Sequence, residues 1–216
     1  MKRIKILDCT LRDGGYALEH KANKNLPVKT FTRQERIDFI KRIAASNIDI
    51  IELGTVQKTQ EDKRDLAIYS SIEDLSNELK GDGIRQKCAV FFRGPDIQMS
   101  EIPEWREGLC EVIRLCLRHS ELKKSLDYCY KLIEKGYKVS VQPSVTMRYT
   151  EQELHEVIEA ANDMNAYAVY FVDSYGYMTP ADVKRFVSMF DTGLNDNIQI
   201  GFHAHNNLNF AVANVI

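Results

Sequence analysis

No stretch of this 216-residue chain approaches the ~18 consecutive apolar residues that a membrane-spanning helix requires. An excess of one charge is missing too. Twenty-nine basic residues stand against 31 acidic ones, a formal net charge of -2, so no global field draws the chain to nucleic acid or to an anionic membrane. The five cysteines are odd in number and form no Cys-x-x-Cys pair, and all but Cys129 lie in or beside apolar strand-like runs. Reduced, buried thiols are therefore expected. Met1-Lys2-Arg3-Ile4 leads into a strand without an apolar signal core, which adds the expectation of a cytoplasmic location. The glycine-rich first turn that open nucleotide-binding sheets usually carry is also absent. No Pro/Gly/Ser linker, low-complexity tract or internal repeat divides the chain, and a single domain over 1–216 is expected.

What is present is a rhythm of apolar runs and amphipathic stretches. Ile4, Ile6 and Leu7 read as a first strand that ends on Arg12-Asp13 and is released by Gly14-Gly15, followed by a polar loop over 17–30. Thr32 and Glu35 form a capping box ahead of Ile37, Ile40, Ile43 and Ala44 at helical spacing. A second strand, 48–54, ends in Glu52 and Gly54, and a helix is expected over 64–80 with Leu66, Ile72, Leu75 and Leu79 on one face. Further strands are predicted at 88–92, 110–117, 139–143, 168–174 and 198–203. Between them lie a helix over 120–135 stopped by Gly136, a helix capped by Thr150 and Glu153, and a helix opened by Thr179-Pro180; a last helix begins near Asn207. Strands alternating with helices at this spacing mean parallel βαβ units. The expected fold is an α/β, TIM (β/α)8-type barrel truncated after about seven strands, with the open doubly wound sheet as its rival.

Chemistry concentrates at the predicted carboxyl ends of the strands, the face where barrel active sites are built. His203 and His205 are two apart on a strand and project from one side. Two imidazoles with a carboxylate describe a catalytic divalent-metal site, and Asp13 is the natural carboxylate; its plainer reading is a turn residue before Gly14. Arg12 beside it offers a guanidinium for a developing enolate oxygen, and Glu52 can hold Arg12 in one rotamer. The plainer reading of Arg12 and Glu52 is a structural ion pair. Arg93, Gln142, Ser144 and Asp173 also fall at strand ends and read equally well as structural, whereas Ser174 precedes a glycine-containing turn that would approach the site.

With these residues in view, the sequence resembles the metal-dependent aldolases and Claisen-type enzymes of the DRE-TIM metallolyase (HMG-CoA lyase-like) superfamily. Leu7-Asp8-Cys9-Thr10-Leu11-Arg12-Asp13-Gly14-Gly15 is similar to the first-strand signature, Glu52 stands at the position of the Arg-orienting glutamate, and Gly201-Phe202-His203-Ala204-His205-Asn206-Asn207 is similar to the seventh-strand motif. The seventh-strand motif and Asp173-Ser174-Tyr175-Gly176-Tyr177 are closest to the 4-hydroxy-2-oxovalerate aldolases. The resemblance implies a divalent ion, Mn2+ first and Mg2+ or Zn2+ next, on Asp13, His203 and His205. It further implies a 2-oxo acid and an aldehyde as substrates, enolate stabilisation by Arg12, and Ser174 with His203 in substrate binding. The family's histidine base, three residues after the metal aspartate, is replaced here by Tyr16, with His20 or a metal-bound water as the alternatives for that role. An eighth strand is lacking, so an N-terminal part of a longer protein is expected, with a homodimer or a C-terminal region covering the free edges. By family resemblance an aldehyde dehydrogenase is a further expected partner. The expected activity is thus a class II aldolase acting through a pyruvate enolate. A Claisen-type acyl-CoA synthase or lyase and a non-catalytic, barrel-derived binding module are the alternatives.

Overall fold

Apolar runs bounded by polar caps become strands in the computed structural model, which describes residues 4–22, 24–78 and 88–215. The chain divides into two compact units, residues 1–113 and 114–216.

In the first unit the short strand β1 (Leu7–Asp8) pairs in parallel with β2 (Ile50–Val56), Leu7 opposite Ile50. On its other side β2 pairs in parallel with β4 (Cys88–Phe92), and a register shift falls between Glu52 and Thr55. The two-residue strand β3 (Ile68–Tyr69) adds to the carboxyl end of β2. Helices α1 (Thr10–Ala22), α2 (Arg33–Ala44) and α3 (Ile72–Glu78) complete the unit. Ile51, Leu53, Val56, Ile68, Ile72, Leu75, Val90 and Phe92 form its buried core.

Several expectations need correction here. Arg12-Asp13 does not end a strand, because the strand stops at Asp8 and α1 starts two residues later. The Asp8 carboxylate accepts from the Thr10 amide (3.1 Å) and hydroxyl (2.9 Å), and the Asp13 amide already donates to the Cys9 carbonyl, the first turn of a helix. Ile4 and Ile6 are exposed rather than core. Gly15 is not a strand release but a contact point inside α1: a Cβ there would fall 1.8 Å from the Leu66 carbonyl oxygen. The predicted loop over 17–30 is helical to Ala22, so His20 lies in the last turn of α1. Glu52 is mid-strand, since β2 runs on to Val56. Gly54 lets it do so, because a Cβ there would meet the Ala67 carbonyl at 2.2 Å. The helix expected over 64–80 is a 3-10 turn (Arg64–Leu66), then β3, then α3; Leu79 and Lys80 lie outside the described residues.

In the second unit the expectations hold closely. β5 (Val112–Leu117), through which the chain enters the unit, is followed by β6 (Lys138–Pro143), β7 (Ala168–Asp173) and β8 (Gln199–Ala204), adjacent in that order. β6–β7 and β7–β8 are parallel, with Val141 opposite Val169 and Val172 opposite His203. Helices α4 (Leu122–Glu134), α5 (Glu151–Asp163) and α6 (Pro180–Gly193) link them, and α7 (Ala211–Val215) follows β8, a few residues later than expected. Thr150 with Glu153 and Thr179 with Asp182 make complete capping boxes, as do Thr32 and Glu35 in the first unit. Phe171 packs against Phe186, Phe190 and Phe202 with ring centroids 4.6–6.0 Å apart. None of the five cysteines is in a disulfide; Cys88, Cys110 and Cys129 are buried, Cys9 and Cys116 half-buried.

Candidate active site

In the first unit the candidate groups are organised by α1 and the strands β2 and β4. Arg12 is buried and held from three sides. Its Nε donates to the Glu52 carboxylate at 2.6 Å, its Nη1 donates to Asp13, and its guanidinium lies over the Phe91 ring, 4.5 Å from the centroid. Burial works against the Arg12 charge, but the Glu52 and Asp13 carboxylates outweigh it and raise the pKa. Glu52 is fully buried. Asp13 is partly open and also accepts from the Cys9 thiol at 3.2 Å. Burial, followed by the Asp13 and Glu52 charges, pushes that thiol up to about 12, so Cys9 stays protonated as a donor.

One turn further along α1 is exposed Tyr16, with the Arg93 guanidinium over its ring at 4.4 Å. Arg93 donates to buried Glu19 at 2.7 Å, and Gln57 and Lys63 approach the same carboxylate at 3.3 and 3.4 Å. Burial alone would raise the Glu19 pKa; Arg93 first, then Lys63 and Gln57, hold it below the usual carboxylate range. His20 is exposed on α1 seven residues past Asp13, about 10 Å along the helix axis, so it does not share the position of Tyr16.

In the second unit the candidate groups lie at the ends of β6, β7 and β8. The His203 and His205 rings meet edge-on with centroids 4.8 Å apart. His205 Nδ1 is 2.8 Å from the Asp173 carbonyl oxygen. A carbonyl can only accept, so Nδ1 carries a proton, which in the neutral ring leaves Nε2 as the nitrogen that can bind a metal. Ser174 Oγ accepts the Val145 amide at 2.8 Å, which leaves its own hydroxyl proton to donate. Asp173, by contrast, is buried and spends both oxygens on the Tyr177 and Met178 amides, shaping the turn after β7. Imidazole and carboxylate are donor types that suit a divalent transition ion, and His203 with His205 supplies the imidazoles in this unit.

The second unit also holds a buried polar layer of which only Gln142 stood out in the sequence. Arg114 on β5 is fully buried, donates to Gln142 at 2.8 Å and stacks on the Tyr170 ring at 4.7 Å. Tyr170 in turn lies flat on Gly201, where a Cβ would come within 2.3 Å of its ring. A lone arginine within Val112-Ile113-Arg114-Leu115-Cys116-Leu117 was the available signal.

Comparison with known proteins agrees with the resemblance drawn from the motifs. Residues 113–216 match the family model described as HMGL-like. A 2-isopropylmalate synthase from Acetivibrio thermocellus is 27% identical over 100% of this chain and 42% of its own length. A 4-hydroxy-2-oxovalerate aldolase from Geobacillus genomosp. 3 is 25% identical over 98% of this chain and 60% of its own length. The chain thus spans between two fifths and three fifths of these relatives. Among solved structures, a hydroxymethylglutaryl-CoA lyase from Pseudomonas aeruginosa superposes with a TM-score of 0.70 at 14% identity, over 99% of this chain and 72% of that one. That likeness shows the fold, the (β/α) barrel type expected from the sequence. Among the described residues no helix is long and apolar enough to cross a membrane.

Proposed function

We propose that this chain carries the enolate-forming site of a class II aldolase, which makes or cleaves a 4-hydroxy-2-oxo acid through pyruvate enolate. The observation that carries the reading is Arg12, a buried guanidinium fixed by Glu52, Asp13 and the Phe91 ring. A donor set in one rotamer before substrate arrives needs no reorganisation when negative charge develops on an enolate oxygen. Asp13, His203 and His205 are proposed to hold the divalent ion, Mn2+ being the first to test. When bound, the ion supplies Lewis-acid polarisation of the 2-oxo group. The Ser174 hydroxyl binds the substrate carboxylate. Tyr16, one helical turn beyond Asp13, faces the 4-hydroxyl in place of a histidine.

The test is loss of the pyruvate C3 protons in D2O with added Mn2+, followed by NMR. The intact chain is expected to exchange them. Arg12→Lys is expected to bind Mn2+ as before but exchange at least about 100-fold more slowly, the scale on which removing an oxyanion donor acts. No exchange by the unmodified protein, or unchanged exchange by Arg12→Lys, overturns the proposal. A Claisen-type condensing reaction is the second reading, favoured by the isopropylmalate synthase match along the whole chain. Product formation from a 2-oxo acid only when acetyl-CoA is present would decide for it.

A further inference from the structure

Two cation–aromatic pairs lie side by side on α1 and β4, with the partners exchanged. Arg12 of α1 stacks on Phe91 of β4, while Arg93, two residues on from Phe91, stacks on Tyr16, four residues on from Arg12. One helical turn from Arg12 to Tyr16 advances about 5.4 Å, and Arg93 follows directly after the last residue of β4, so the second guanidinium stands about 6 Å beyond the first. The two arginines differ in how they are used. Arg12 is buried between two carboxylates. Arg93 is half-exposed, its one described hydrogen bond goes to Glu19, and its buried Nε has no partner among the described residues. Glu19 is shared with Lys63, so two cations answer one buried carboxylate. An arginine that only closed an ion pair would not need a second cation on its acceptor, nor a tyrosine ring fixing the plane of its guanidinium.

Resting on the aldolase reading, we infer that Arg93 recognises an anionic group at the far end of the carbonyl acceptor, so that the acceptor is an acidic aldehyde. About 6 Å is the span of roughly five single bonds of ~1.5 Å at tetrahedral angles. Measured from the enolate carbon next to Arg12, that reaches a carboxylate three carbons beyond the aldehyde carbon. A planar guanidinium with open N–H groups binds such a carboxylate in a way a lysine cannot reproduce.

The experiment compares succinic semialdehyde with butanal, its neutral counterpart of equal length, as acceptors for pyruvate with Mn2+. The unmodified protein is expected to favour succinic semialdehyde at least 10-fold in kcat/KM. R93L should lose that preference through KM for the aldehyde, and R93K should recover only part of it. Equal preference in the unmodified protein and R93L, or a preference of the unmodified protein for butanal, overturns the inference. Should the unmodified protein fail to exchange pyruvate C3 protons, the aldolase reading has failed, and calorimetry with succinate then tests Arg93 by itself. Binding at least 10-fold weaker in R93L supports an anion site at Arg93. Equal binding by both, or binding by neither, refutes it.

Discussion

Gly14 and Gly15 look alike in the sequence and differ in what surrounds them. A Cβ at Gly15 would collide with the Leu66 backbone, whereas one at Gly14 would make ordinary contact, 3.5 Å from the Phe31 ring. Gly15→Ala is therefore expected to cost more than about 2 kcal/mol in urea unfolding, because backbone must move to admit it. Gly14→Ala should be neutral or stabilising by about 0.5–1 kcal/mol, the ordinary helical gain. Equal effects would contradict the packing of α1 on residues 64–66. Glu52→Ala strands the buried Arg12 charge, and a loss of about 3–5 kcal/mol is expected in the same assay. All three residues stood out in the sequence, the glycines wrongly as a turn and Glu52 wrongly as a strand end, though Glu52 stood out also as a partner for Arg12.

At the scale of elements, what is encoded within four residues was legible. The Thr-x-x-Glu pairs Thr32/Glu35 and Thr150/Glu153 and the Thr179-Pro180 helix start were visible, and in the structure each of these threonines caps its α-helix in a complete capping box. Their acids, Glu35, Glu153 and Asp182, accept from the backbone and hydroxyl of their cap residues, which holds all three pKa values below the usual carboxylate range. A lowered folded-state pKa contributes stability that is present above the unfolded value and lost as pH falls through the folded one. Melting temperature should accordingly decline below about pH 4. Thr150→Ala should cost about 1 kcal/mol at pH 7 and flatten part of that decline; an unchanged acid limb would remove the α5 cap from the explanation. By contrast α1 carries no such signature. Apolar Ile4 and Ile6 suggested a longer strand, and the helix exists because Asp8 turns the chain and Arg12 finds Glu52, 40 residues away.

For the molecule as a whole, the proposed ligands come from residues near both ends of the chain, so metal and stability should be linked. Mn2+ at about 100 times its Kd is expected to stabilise the fold by about 2.7 kcal/mol, seen as a rise in melting temperature. Asp13→Asn and His203→Ala should each abolish that rise while changing the metal-free melting temperature little. A rise that survives either variant would remove that residue from the ligand set. The alternation of apolar runs with capped helices was enough to determine the (β/α) class, because strand periodicity, helix spacing and caps act over a few residues. The His-x-His spacing likewise brought two imidazoles together, although His205 falls one residue past the end of β8 rather than on it. Only tertiary structure decided that Arg12 and Asp13 open a helix, that β2 continues through Gly54 to pair with β3, and that Arg93 stands over Tyr16. Each of these depends on groups tens of residues apart meeting at van der Waals or hydrogen-bond distance, and no local pattern records which of them will meet.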